Sequence, residues 1–95
     1  MVVHIVSFKY WPTVSVASRQ EHRAKLAALA DIDGIVDLKV GADFVRSPRS
    51  YDTGLVVSFR DRAALNGYAR HPRHEPVATL GRDLSEMIVA VDFDV

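Results

Sequence analysis

The chain has no cysteine, which excludes disulfides, thiolate metal sites and a cysteine nucleophile, and agrees with a reducing, cytoplasmic setting. It has no excess of charge of either sign. Twelve Lys and Arg offset twelve Asp and Glu, so no global attraction draws it to nucleic acid or to anionic lipid, and neither is expected as a partner. Arg70, Arg73 and Arg82 form the one local basic patch that can hold an anion, although solvated helix faces commonly look the same. No apolar run is long enough to span a membrane. The opening Met1-Val2-Val3-His4-Ile5-Val6 lacks a basic leader, is too short for an export core and contains a histidine, so it reads as a strand. No repeat, low-complexity tract or linker interrupts the chain.

What is present fits one domain. Ninety-five residues can bury on the order of two-thirds of their unfolded surface around a single core without covalent staples. From Val2 to Phe8 the residues alternate, Val2, His4, Val6 and Phe8 on one face and Val3, Ile5 and Ser7 on the other. Apolar residues on both faces predict a strand covered on both sides. Lys9 to Pro12 ends it, and a Thr13 or Ser15 cap opens a helix to about Asp31, with His22, Leu26 and Leu29 on one face and His22 at its wet edge. Asp31 to Gly34 breaks the helix. Val36, Leu38 and Val40 then supply the apolar side of a second strand, and Phe44 to Ser50 reads as an exposed loop. A third strand follows from Tyr51 to Phe59, Asp61 caps a short helix carrying Leu65 and Tyr68, and Pro76 suits the first turn of a further helix. Met87 to Val95 alternates strictly, with Met87, Val89, Val91, Phe93 and Val95 on one face and Ile88, Ala90, Asp92 and Asp94 on the other.

The order β-α-β-β-α(α)-β is the split βαβ pattern of a ferredoxin-like α+β sandwich with a four-stranded antiparallel sheet. Helices cover one face of such a sheet. The second face here is also apolar, and near-zero net charge with 48% hydrophobic residues favours self-association, so a second copy is the expected cover. Two sheets packed face to face around a two-fold axis make a dimeric barrel.

Two of the four histidines and a tyrosine gather in Tyr68-Ala69-Arg70-His71-Pro72-Arg73-His74. Pro72 has no N–H and disfavours the α conformation at His71, so one helix must stop there and another start just beyond. The segment is therefore a corner, and corners aim side chains that regular elements cannot. His71 and His74 have the i, i+3 spacing of a metal pair, but the proline disturbs it and Glu75 is the only nearby acid, so no metal is expected.

With His4-Ile5-Val6 at the start, Tyr51-Asp52 opening a strand, Tyr68 ahead of His71-Pro72-Arg73-His74, and Val91-Asp92-Phe93 at the end, the chain resembles the stress-responsive dimeric α/β-barrel (Dabb) family along its whole length. That family includes plant polyketide cyclases such as olivetolic acid cyclase. The resemblance implies a catalytic tyrosine and histidine at Tyr68 and His74, a pocket-lining histidine at His4, and a structural corner or pocket residue at His71. Imidazole suits the removal of a proton beside a carbonyl, a phenol suits donation to the enolate oxygen, and neither needs a cofactor. Three readings stay open: a cytoplasmic homodimer binding a hydrophobic carbonyl compound between helices and sheet, a cofactor-free cyclase or isomerase, and a structural protein without chemistry. Each site residue also has a plainer role open to it, His4 as a core histidine and Tyr68 as a packed ring.

Overall fold

A computed structural model covers residues 1–95. The elements are β1 (Val2–Tyr10), α1 (Val16–Ala27) continued by a 3-10 turn at Ala28–Asp31, β2 (Ile35–Ala42), β3 (Thr53–Phe59), α2 (Arg62–Ala69), α3 (His74–Leu84) and β4 (Ser85–Asp94). All neighbouring strands are antiparallel in the order β2-β3-β1-β4, which is the ferredoxin-like arrangement. Ser15 caps α1 by accepting from the Ser18 N–H at 3.1 Å, and Asp61 caps α2 by accepting from Ala64 N–H at 2.8 Å, so both expected caps form.

Alternation decides the faces. Val2, Val6, Phe8 and Tyr10 of β1 and Leu55, Val57 and Phe59 of β3 are buried beneath the helices together with Leu26, Leu29, Ala64, Tyr68 and Val77. Burying such side chains contributes about 1.5 to 3 kcal/mol each before the entropy of ordering them is subtracted. The opposite face is open: Val56 of β3 and Met87, Val89, Val91 and Phe93 of β4 are all exposed. Within a single chain, then, β1 and β3 are covered on one side only. The β2 reading needs one correction, because a bulge between Ile35 and Asp37 turns Val36 out to solvent while Leu38 and Val40 remain packed on the core. At the start of β2, Gly34 has φ +92°, and a Cβ there would come within 2.6 Å of Ala64 Cβ, so both the turn and its approach to α2 require glycine.

His22 also departs from expectation. It is fully buried, at 0% exposure, rather than at the wet edge of α1. Its Nδ1 lies 2.6 Å from the Tyr10 hydroxyl, which lies 2.9 Å from Thr53 Oγ1, and Arg23 donates to that same oxygen at 3.0 Å. Those partners come from β1 and β3, so helical spacing alone could not reveal them. Its Nε2 has no partner and faces Gly81, where a Cβ would sit 3.1 Å from it and 3.3 Å from Phe8.

Burial, aided by the Arg23 charge, lowers the His22 pKa from 6.5 to about 4. The native ring is neutral while the unfolded ring takes a proton near 6.5, so falling pH favours unfolding. This contribution is complete above about 6.5 and is lost between there and about 4, on the order of 3 kcal/mol at the acid end. Urea unfolding across that range should show a falling midpoint, and His22→Gln should be less stable at neutral pH but flatter with pH. Equal slopes for the two proteins would assign the acid sensitivity elsewhere.

Candidate functional site

The proline corner forms as expected. α2 ends at Ala69, α3 starts at His74, and between them His71 N–H donates to Tyr68 O at 3.1 Å while His71 O accepts from His74 N–H at 2.9 Å and Glu75 N–H at 3.2 Å. His71 Nδ1 accepts from the Arg73 N–H at 3.1 Å, which supplies the cap that α3 otherwise lacks. That ring is thus engaged in holding the corner, and it does not line the cavity described next. Arg73 is tied as well, donating to Ala28 O at 2.7 Å and pairing with Asp31 at 2.9 Å, so it drops out of the basic patch read from the sequence.

The other three predicted residues converge. His4, Tyr68 and His74 line one cavity of about 150 Å3 between the sheet and α3, with Val6, Phe8, Leu26, Leu55, Val77 and Ala78 as its apolar wall and Arg82 and Ile88 at its exposed edge. The Tyr68 and His74 ring centroids are 4.4 Å apart, and His4 stands 6.3 Å from Tyr68 in an edge-on arrangement. Phe59 backs Tyr68 at 5.1 Å in a tilted arrangement, so the phenol ring is packed against a second ring. A larger depression of about 520 Å3 lies on the open sheet face around Lys39, Gly41, Phe44 and Val56. It is lined by no histidine and lies on the face that the helices leave open.

The protons in the smaller cavity can be assigned from the partners. His74 Nδ1 lies 3.3 Å from Ala69 O, and since a carbonyl only accepts, Nδ1 carries the hydrogen and Nε2 presents a lone pair. Burial is the main influence lowering the His74 pKa, opposed by the Ala69 bond and helped by the neighbouring His4, Arg82 and His71. Burial pushes Tyr68 up to about 12, which keeps it a hydroxyl donor at neutral pH. His4 donates from Nδ1 to Asp92 Oδ1 across the β1–β4 register, which fixes the plane of its ring. Asp92 and Arg82 are the residues that sequence reading missed. The signal for Asp92 was a carboxylate on the core-facing phase of β4, opposite His4. Arg82 was seen only as part of a surface patch.

The four-stranded antiparallel sheet in the order β2-β3-β1-β4, with its helices on one face and a histidine–tyrosine cavity at the helix corner, places the chain in the ferredoxin-like α+β class. The sequence matches the stress responsive A/B barrel domain over residues 2–95, and the chain belongs to that family. Solved structures agree on the fold. A dimeric ferredoxin-like protein of unknown function from Thermobifida fusca superposes with TM-score 0.91 at 24% identity, covering 99% of this chain and 90% of that one. A dimeric ferredoxin-like protein of unknown function from Jannaschia superposes with TM-score 0.83 at 27% identity, covering 99% and 98%. A hydroxynitrile lyase from Passiflora edulis superposes with TM-score 0.88 at 19% identity, covering 99% and 92%. A comparison with curated proteins gives no match.

Histidine side-chain NMR across pH should give His74 a midpoint below 6.5, with the neutral ring protonated on Nδ1. A neutral ring protonated on Nε2 would remove His74 as the base facing the cavity, and a raised midpoint would show that burial does not govern its titration.

Proposed function

We propose that the protein is a cytoplasmic homodimer whose helix–sheet cavity binds a small hydrophobic carbonyl compound and, without a cofactor, moves a proton on the carbon beside the carbonyl. The observation that carries this reading is that Tyr68 and His74 line the same cavity with their rings 4.4 Å apart, while His74 Nδ1 is held by Ala69 O and leaves Nε2 as the basic nitrogen. His74 Nε2 takes the C–H proton, Ala69 O steadies the imidazolium through Nδ1–H, and Tyr68 donates to the oxygen as it becomes an enolate. Return of the proton to another carbon is isomerisation. Attack of the enolate on a second carbonyl of the same molecule is cyclisation, the sharper alternative. A stress role enters only through the family's description.

The dimer rests on the open face. The chain exposes 5903 Å2, against about 5,400 Å2 expected for a compact monomer of its mass, and the row Met87, Val89, Val91 and Phe93 accounts for apolar surface that water covers poorly. Dimeric relatives with the same fold support a second copy as its cover.

Cyclohexanone in deuterated buffer tests the chemistry without knowledge of the natural substrate, because enolisation exchanges its α-hydrogens. The protein should accelerate exchange, His74→Ala should lower the rate by about a hundredfold or more, and Tyr68→Phe should lower it by about tenfold or more with the fold intact. Exchange at the buffer rate in the unmodified protein would leave, at most, a binding role.

For assembly, sedimentation at micromolar concentration should give twice the 10.5 kDa chain mass. Val91→Lys, a charge on the open face, should yield monomers of lower stability. A monomeric, well-folded parent protein would rule out the barrel.

A further inference from the structure

The cavity's wall is apolar and its two catalytic candidates are uncharged at neutral pH, yet one permanent charge stands at its edge. Arg82 projects from the last turn of α3 beside His74 and Ile88. It joins no ion pair, although Asp83 adjoins it in sequence and Glu86 lies four residues on; its one side-chain hydrogen bond runs from Nη2 to Thr79 Oγ1 at 3.2 Å. Five other arginines, Arg19, Arg46, Arg60, Arg62 and Arg73, are each paired with an aspartate. Asp92, which bonds the cavity residue His4, is thereby engaged. The cavity edge therefore holds an uncompensated guanidinium whose forked donors match a carboxylate.

We infer that Arg82 anchors a carboxylate on the ligand, so that the natural carbonyl compound of this cavity also carries an acid group, which simple ketones such as cyclohexanone lack. This deepens the carbonyl-binding reading and rests on it. A cavity of about 150 Å3 takes a ring of benzene size. The apolar part of such a ligand fills the space between Phe8, Leu55 and Val77, its carbonyl meets Tyr68 and His74, and its carboxylate reaches out to Arg82. The charge also selects orientation, since an acid anchored at the edge can present only its far end to the acid–base pair. Of the patch Arg70, Arg73 and Arg82, this leaves Arg82 as the anion site: Arg73 is occupied and Arg70 does not line the cavity.

Benzoate and benzamide form a matched probe pair, alike in size and differing in charge. In NMR titrations followed at Tyr68 and His74, both should perturb the cavity, with benzoate binding about tenfold or more tightly than benzamide. Arg82→Gln should bring benzoate affinity down to that of benzamide, Arg82→Lys should retain part of the preference, and Arg70→Gln should leave it intact. Equal binding of the two probes by the unmodified protein would overturn the anchor and leave the carbonyl cavity standing. Equal losses from Arg70→Gln and Arg82→Gln would also overturn it, by showing general anion attraction. No perturbation by either probe would overturn the cavity reading and the anchor together.

Discussion

The proline at position 72 is the constraint from which the site follows. With no N–H to give and a ring that keeps its predecessor out of the helical region, it divides what would be one continuous helix into α2 and α3. Tyr68 then occupies the last turn of one helix and His74 the first residue of the next, and the break turns both toward the same space. An unbroken helix would carry residues six apart on differing faces, because successive residues turn by about 100°. The corner thus brings together two groups that neither helix alone would pair, and His71 holds the break closed by bonding the Arg73 N–H.

How much room the pair has depends on the packing of α3. Gly81 lets that helix lie against His22 and Phe8 without a side chain between them. Phe8 in turn forms part of the cavity wall, so His22, α3 and the site share one contact region. The orphaned Nε2 of His22 is a cost of this close approach, since a buried polar atom without a partner typically forfeits about 1 to 3 kcal/mol. The opposite side of the sheet has no such closure: helices reach only one face, and β4, an edge strand, is exposed along nearly its whole length.

The residues legible in sequence were those whose signal is local. Strand phase followed from alternation, as in Met87 to Phe93, and the corner followed from Pro72. The element order then gave the sheet. The missed features all depend on partners distant in the chain. His22 looked amphipathic on α1, and only the meeting of Tyr10 with Thr53 across two strands makes its burial tolerable. Val36 followed the alternation until a bulge, which has no compositional mark here, shifted it outward. The pairing of His4 with Asp92 needed the β1–β4 register, which alternation leaves free by any even number of residues. His4, Tyr68 and His74 came from resemblance, and their convergence on one cavity is a property of the folded chain.

Arg73 fastens the corner to Ala28 and Asp31, on the turn that ends α1. The direction in which α3 leaves the proline is therefore referenced to a segment that does not line the cavity. A change in the length of the segment between Leu29 and Gly34 would displace the Asp31 contact that Arg73 makes, without altering any residue of the cavity. Among related chains, the length of that turn should vary less than a surface loop's usually does, and drift in it should track changes in the shape of the cavity.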